Sequence, residues 1–183
     1  MPTILSHAAV PLAIGLGLGG HVVSRRLLIA GIAMSMLPDL DVLAFRFQIA
    51  YADTFGHRGA SHSITLAILT ALLALLFAHK LNTGRRIAFI FVAISTASHG
   101  ILDTFTNGGH GAALWWPLSD ERVFAPWQVI EASPLSMRRV FSTKGLEVLQ
   151  SELLWIWLPL TMVFFILVLM RRMQASALLV RDV

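Results

Sequence analysis

The stretch SHGILDTFTNGGH, Ser98–His110, decides how the rest of the chain is interpreted. Within a strongly apolar run it places His99 and Asp103 four residues apart. On a helix these side chains lie on the same face, one turn apart, where they can hold a metal ion. Asn107 extends this face, and the two glycines before His110 predict the end of the helix, with His110 as a further ligand.

The composition is that of an integral membrane protein. Of the 183 residues, 56% are hydrophobic and only 13% are charged, and the mean hydropathy is +0.74. A soluble domain does not need so apolar a chain. Because there is no cysteine, a metal must be held by His, Asp, Glu or Asn. The net charge of +4 does not indicate nucleic-acid binding, since basic residues in a membrane chain usually set its topology.

Five apolar segments predict an all-α fold, a polytopic membrane helical bundle of about five helices that forms one domain over residues 1–183. The first segment has no Asp, Glu, Lys or Arg before Arg25. Arginines therefore follow it, whereas basic residues precede the apolar part of a secretory signal. The predicted helices are residues 1–23, 27–47, from Ser61 or Ser63 to 78, 87–105 and 153–170, with residues 106–152 as an extracytoplasmic loop region.

Two acidic residues fall inside the second predicted helix. A carboxylate in a membrane helix costs about 2.5 to 3.5 kcal/mol on insertion scales, so Asp39 and Asp41 need a compensating partner. A metal ion would supply it, and pairing with Arg46 or Arg58 is the alternative. Residues two apart do not share a helical face, so both aspartates reach one site only if Pro38 opens the helix or the helix ends there.

The basic residues predict the orientation. If successive helices cross the membrane, the Lys and Arg residues at positions 25, 26, 80, 85, 86, 171, 172 and 181 fall on one side, and they are eight of the fourteen in the chain. Asp182 is the only one of the ten acidic residues on that side. The positive-inside rule makes this side cytoplasmic. The N-terminus, the loop around His57 and residues 106–152 then lie outside, facing the periplasm or the cell exterior.

This topology brings the remaining candidate ligands to one depth near the outer surface. His7 lies at the outer end of the first helix, and His62 opens the third. His57 stands in a polar loop and is interpreted as a ligand, as a residue that supports the ligands, or as a residue that contacts the substrate. The complete set of candidate metal ligands is His7, Asp39, Asp41, His57, His62, His99, Asp103 and His110.

Such a set exceeds the roughly three protein ligands of a catalytic zinc, so we expect two or more Zn²⁺ or other divalent ions. A pair of metals about 3.5 to 4 Å apart can activate water and clamp the attacking and leaving oxygens of a phosphoester. Arg58 is the candidate for binding a phosphate oxygen, and Asp39 or Asp41 for general base. The pattern predicts a membrane-embedded hydrolase acting on a phospholipid or lipid-linked phosphate at the outer face.

A divalent-metal transporter is the alternative, in which the same cluster would be a transit site. Transport should leave a second set of ligands along the path to the cytoplasm. That half of the chain offers only His21 and His79, so the hydrolase is favoured.

The motifs also resemble a known family. Bacterial inner-membrane metal-dependent hydrolases, some of them regulated by the DNA-damage repressor, resemble this chain over roughly residues 1–120. More remotely, the order His, Asp, His, His-x-x-x-Asp, His is similar to the superfamily of zinc-dependent phospholipases C and single-strand nucleases. That likeness implies metal ligation by His7, Asp39 or Asp41, His62, His99, Asp103 and His110. The motifs concerned are Ser6-His7, Leu37-Pro38-Asp39-Leu40-Asp41, His57-Arg58-Gly59 with His62-Ser63, and Ser98-His99 with Asp103 and Asn107.

Overall fold

The computed structural model describes residues 2–133 and 142–181, and within these ranges it contains helices and no β-strand. Two isolated bridges, Thr106 with Ile130 and Ala112 with Val123, are the only β-type pairings there. The α-helices are α1 (Ile4–His7), α2 (Ala9–Leu18), α3 (Arg25–Met36), α4 (Ile64–Leu76), α5 (Arg85–Thr104), α6 (Thr143–Glu152) and α7 (Leu158–Arg181). Helices of the 3-10 type cover Leu37–Phe47 and Ala60–His62, and a π-helical turn, Leu153–Trp157, joins α6 to α7.

The predicted membrane helical bundle is confirmed. Three helical stretches are long and apolar enough to cross a membrane, namely Arg25–Phe47, Arg85–Thr104 and Thr143–Ala177. Ile4–Leu18 and Ile64–Leu76 are apolar but shorter. The last stretch differs from the prediction, because it starts at Thr143 rather than at 153. Its first ten residues, α6, belong to the segment that the sequence assigned to the loop region.

Small residues allow the helices to pack closely. The main helix pairs are α4 with α5, α3 with α5, and α2 with α7. A Cβ atom added at Gly31 would lie 3.0 Å from the Ser95 hydroxyl and still closer to the Phe91 ring. A Cβ atom at Gly17 would lie 2.8 Å from Leu167. Close approach of this kind is what small residues provide at helix interfaces in membranes.

An apolar core fills the end of the bundle that carries the basic loops. The turn between α2 and α3 meets the turn between α4 and α5 at this end, where Arg26 donates a 3.1 Å hydrogen bond to the Lys80 carbonyl. Helix α7, in contrast, leaves most of its apolar side chains exposed, as expected for a helix that faces lipid. The buried core residues are Val23, Leu27, Ala74, Ala78, Ala88, Phe91 and Val92.

Enlarging Gly31 should destabilise the bundle. We expect Gly31→Leu to lower the melting temperature in detergent by several degrees, since overpacking costs about 1 to 3 kcal/mol. Gly20→Leu is the control, because no heavy atom lies within 4 Å of a Cβ atom added at Gly20. Thermal unfolding of both variants measures the difference. Equal melting temperatures would contradict the close contact between α3 and α5.

Candidate metal centre

The end of the bundle opposite the basic loops contains a buried polar cluster, and every predicted ligand except His110 lies in it or beside it. Apart from His57, which lies in a loop, these side chains stand near the ends of helices. His7 ends α1, the two aspartates follow α3, His62 precedes α4, and the pair on α5 lies in its last two turns. The helix ends, rather than the helix centres, therefore build the cluster.

The break after α3 explains how both aspartates reach the cluster. The α-helix ends at Met36, and the chain continues as a 3-10 helix with Pro38 in its first turn. This is the interruption that the sequence required for Asp39 and Asp41 to share a site. Oδ1 of Asp39 lies 3.4 Å from Nε2 of His99, and Oδ1 of Asp41 lies 2.5 Å from Nδ1 of His57.

Four ligand atoms form the inner part of the cluster. Nε2 of His62 lies 3.0 Å from Nε2 of His99 and 3.0 Å from Oδ2 of Asp103. Together with an oxygen of Asp39, these atoms all lie within 4.8 Å of one another. The ligand atoms of a tetrahedral zinc, bound at about 2.0 to 2.1 Å, lie about 3.3 Å apart. The spacing therefore fits one divalent ion.

His7 meets the same two carboxylates from the other side. Its Nε2 lies 3.9 Å from Oδ2 of Asp39 and 3.9 Å from Oδ1 of Asp103, and its ring stacks on His99 with centroids 3.6 Å apart. Each carboxylate thus turns one oxygen toward His62 and His99 and the other toward His7. This division of oxygens fits two ions that share the carboxylates.

The hydrogen bonding of these groups supports the fit to a metal. Both ring nitrogens of His7, both oxygens of Asp39 and Oδ2 of Asp103 are buried without a hydrogen-bond partner in the described part of the chain. Unsatisfied buried polar groups cost about 1 to 3 kcal/mol each, and charged ones cost more. Bound cations would ligate the carboxylate oxygens and one ring nitrogen of His7, whose other nitrogen remains a hydrogen-bond donor.

Asp41 lies next to these inner ligands, and both of its carboxylate oxygens already have hydrogen-bond partners. Its Oδ2 accepts hydrogen bonds from the Ser61 hydroxyl at 2.5 Å and from the backbone amide of Arg58 at 3.0 Å. The same oxygen lies 3.2 Å from Nδ1 of His62. Asp41, His57 and His62 also have ligand atoms within 4.8 Å of one another, so these three residues form a separate group that could hold a metal. The saturated carboxylate fits the role of orienting His62 toward the inner set better than that of a ligand.

The other inner histidine is oriented by the backbone. Nδ1 of His99 lies 2.6 Å from the carbonyl oxygen of Ser35. A histidine that donates from Nδ1 presents Nε2 as the free ligand atom, and such outer contacts fix ring orientation at metal sites. Both His62 and His99 therefore present Nε2 to the cluster.

Arg58 is fully buried beside the cluster. Its Nε lies 3.2 Å from Oδ2 of Asp103, and its Nη1 donates a 2.9 Å hydrogen bond to the Gly108 carbonyl. Its φ angle of 62° is left-handed, which is uncommon for a residue other than glycine. The guanidinium of Arg58 pairs with Asp103, and not with Asp39 or Asp41 as in the alternative prediction.

Two residues that no sequence motif predicts, Arg122 and Glu152, support the site. Arg122 donates hydrogen bonds to three carbonyl oxygens of the loop that carries Arg58: His57 at 2.7 Å, Asp53 at 2.9 Å and Tyr51 at 3.0 Å. Glu152 is buried against the first helix. No local motif marks either residue, because their roles depend on contacts distant in sequence.

His110 is the predicted ligand that the structure does not bring into the cluster. Helix α5 ends at Thr104, and the chain then turns away, with the Asn107 side chain accepting a 2.9 Å hydrogen bond from the backbone amide of Ala132. His110 is exposed, and its ring lies 4.9 Å from that of Tyr51. The expected continuation of the α5 face through Asn107 to His110 was therefore wrong.

Comparison with known proteins agrees with the membrane fold and gives the family. Residues 1–176 match the family described as YdjM inner membrane protein. The chain is also 49% identical over 160 residues to the inner membrane protein YbcI of Escherichia coli (strain K12), which covers 87% of this chain and 92% of that protein. No solved structure matches the chain. These names state a location and no activity, so hydrolysis and the likeness to phospholipase C stay predictions. The chain belongs to the YdjM inner membrane protein family.

Proposed function

We propose that this inner membrane protein is a metal-dependent hydrolase that binds two or more divalent ions, with Zn²⁺ the first candidate, and cleaves a phosphoester in a phospholipid or lipid-linked phosphate. One observation carries the proposal. Asp39 and Asp103 are buried carboxylates whose oxygens divide between His62 and His99 on one side and His7 on the other. Two carboxylates placed in this way suit a pair of ions.

The inner position would be held by His62, His99, Asp39 and Asp103, and the second by His7 with the remaining oxygen of each aspartate. Divalent ions bound there supply Lewis-acid stabilisation of a phosphoryl oxygen and allow water to act as a nucleophile near neutral pH. The protein contributes His62 and His99, whose rings are oriented by Asp41 and by the Ser35 carbonyl.

Arg58 is suited to bind an anionic oxygen of the substrate. Its Nη2 makes only a long contact of 3.5 Å with Oδ1 of Asp103, which leaves donor capacity for a phosphate oxygen. A guanidinium in a buried site forms strong charge-assisted hydrogen bonds. The role of general base stays a prediction for Asp39 or Asp41, because both oxygens of Asp39 are assigned to the ions and Asp41 already accepts from several donors.

A groove in the apolar surface supports a lipid substrate. It has a volume of about 450 Å³, runs between the 3-10 helix after α3 and the first turns of α4, and reaches Asp41 and Ser61. A chain of methylene or isoprenoid groups suits such a lining, with the head group at the polar end. The apolar residues that line the groove are Leu37, Pro38, Phe55, Ala60, Leu66, Leu69 and Trp116.

The far side of the cluster is unfavourable for metal transit. The hydroxyl groups of Ser95 and Thr70, next along the bundle, already donate to the helix carbonyls of Phe91 and Ala67 at 2.7 and 3.0 Å. Beyond them lies the apolar core around Phe91 and Val92. Within residues 2–133 and 142–181, both groups suited to a metal share His62 and lie at the same end, which supports the hydrolase over the transporter.

Removing an inner ligand should release metal. We expect His99→Ala and Asp103→Ala each to lower bound zinc severalfold, because both side chains contribute to the inner position. His79→Ala is the matched control, since His79 is exposed at the opposite end of the bundle. Elemental analysis of purified protein gives the ratio of metal to chain. Unchanged metal in both inner variants would remove the basis for a metal site.

Activity can be tested with a panel of phospholipids and isoprenoid phosphates in mixed micelles. We expect release of phosphate or head group that a chelator abolishes. Arg58→Lys should lower turnover about 100-fold while metal is retained, because a lysine keeps the charge beside Asp103 but loses the planar fork of donors. Arg46→Lys, a change at an exposed arginine, is the control. Chelator-insensitive turnover, or an Arg58→Lys variant as active as wild type, would contradict this mechanism.

We further propose that the cluster faces the periplasm, since the basic loops lie at the opposite end of the bundle. The chain has no cysteine, so single cysteines report the orientation directly. Leu118→Cys, at a side chain that is 92% exposed, should react with a membrane-impermeant maleimide in intact spheroplasts. Gln174→Cys, near the end of α7, should react only after permeabilisation. The reverse pattern would place the cluster on the cytoplasmic side.

A further inference from the structure

Glu152 is a buried carboxylate outside the proposed metal ligands. It is the last residue of α6 and is only 2% exposed. Its Oε2 accepts hydrogen bonds from the hydroxyls of Thr3 at 2.7 Å and Ser6 at 2.8 Å, and its Oε1 accepts one from the backbone amide of Thr3. Three neutral donors from the beginning of the chain therefore converge on one side chain from the end of the chain.

This contact supplies a cap that the first helix otherwise lacks. The N-cap residue of α1, Thr3, makes no side-chain capping hydrogen bond within the helix. Helix N-termini have unpaired amide groups and favour a nearby negative charge. Glu152, 149 residues further along the chain, accepts a hydrogen bond from the Thr3 amide and places its carboxylate at this helix end. Trp157 adds a second link from the same region, donating a 3.0 Å hydrogen bond from Nε1 to the Ser6 hydroxyl.

The capped helix carries His7, whose side chain has no hydrogen bond of its own in the described structure. Ring stacking on His99 is a non-directional restraint compared with hydrogen bonds. The position of His7 therefore depends on where α1 is held, and the contacts of Glu152 with Thr3 and Ser6 hold it immediately before His7.

We propose that Glu152 is a positioning residue for His7, and that it thereby completes the second metal position, the one formed by His7 with Asp39 and Asp103. This inference rests on the proposed metal site. It makes the last membrane helix a part of the site, although no residue of that helix is a proposed ligand. A carboxylate is suited to the role because both of its oxygens are used as acceptors.

Metal stoichiometry and hydrogen exchange test the inference together. We expect wild type to bind two Co²⁺ or Zn²⁺ ions per chain, and both Glu152→Ala and His7→Ala to bind one, with little change in the affinity of the remaining ion. In the metal-free protein, Glu152→Ala should speed amide exchange of residues 4–8 at least tenfold. Glu152→Gln, which keeps one acceptor oxygen, should restore part of both properties.

The matched control is Glu147→Ala, a glutamate of the same helix whose side chain is 59% exposed and pairs with Lys144. It should behave as wild type in both measurements. If Glu152→Ala fails to fold, Ser6→Ala and Trp157→Phe each remove one link, and both should weaken the second ion about fivefold while sparing the first.

Two ions in Glu152→Ala with unchanged exchange of residues 4–8 would overturn the inference and leave the metal site intact. A single ion in wild type that does not depend on His7 would overturn it as well. If wild type binds no metal, the proposed function is wrong. The exchange measurement is made without metal and would still show whether Glu152 positions α1.

Discussion

The structure depends on the burial of two carboxylates, Asp39 and Asp103, in an otherwise apolar bundle. Taking an ion out of water costs several kcal/mol even after the protein relaxes. Arg58 compensates part of the charge of Asp103, while Asp39 has no hydrogen-bond donor among the described residues. Histidines surround both side chains and are themselves only partly satisfied. A bound cation would compensate the negative charge that Asp39 carries without a partner, and this is the physical basis for proposing a metal centre.

The same cluster explains the irregular lengths of the helices. Ile4–Leu18 and Ile64–Leu76 are too short to cross a membrane as regular helices. At the end where the cluster lies, His7 stands in the short helix before α2 and His62 in the 3-10 turn before α4. Arg25–Phe47 keeps its length but changes to a 3-10 helix at the aspartates. At this end of the bundle, regular α-helix gives way to short helices and turns that carry the candidate ligands. Glu152 of α6 and Trp157, just before α7, contact the shortest helix, α1, at Ser6.

The sequence predicted the features that are local. Apolar segments predicted the helices, the i, i+4 spacing predicted that His99 and Asp103 share a face, and Pro38 marked the break that lets Asp39 and Asp41 approach one site. The features set by distant contacts were missed. His110 leaves the cluster because the chain after α5 pairs with residues around Ile130. Glu152 lies in a polar stretch that reads as loop, and only its packing against Thr3 and Ser6 shows that it is buried.

The apolar core beneath the site has an electrical consequence. A transmembrane potential acts on each charge with about 2.3 kcal/mol per 100 mV, distributed according to where the barrier of low polarity lies. Here Phe91, Val92 and their neighbours fill the end of the bundle opposite the cluster, so most of the voltage drop falls across them. A charge at the cluster would then stay near the potential of the adjoining solution, because in the described part of the chain the apolar core lies between the cluster and the basic loops.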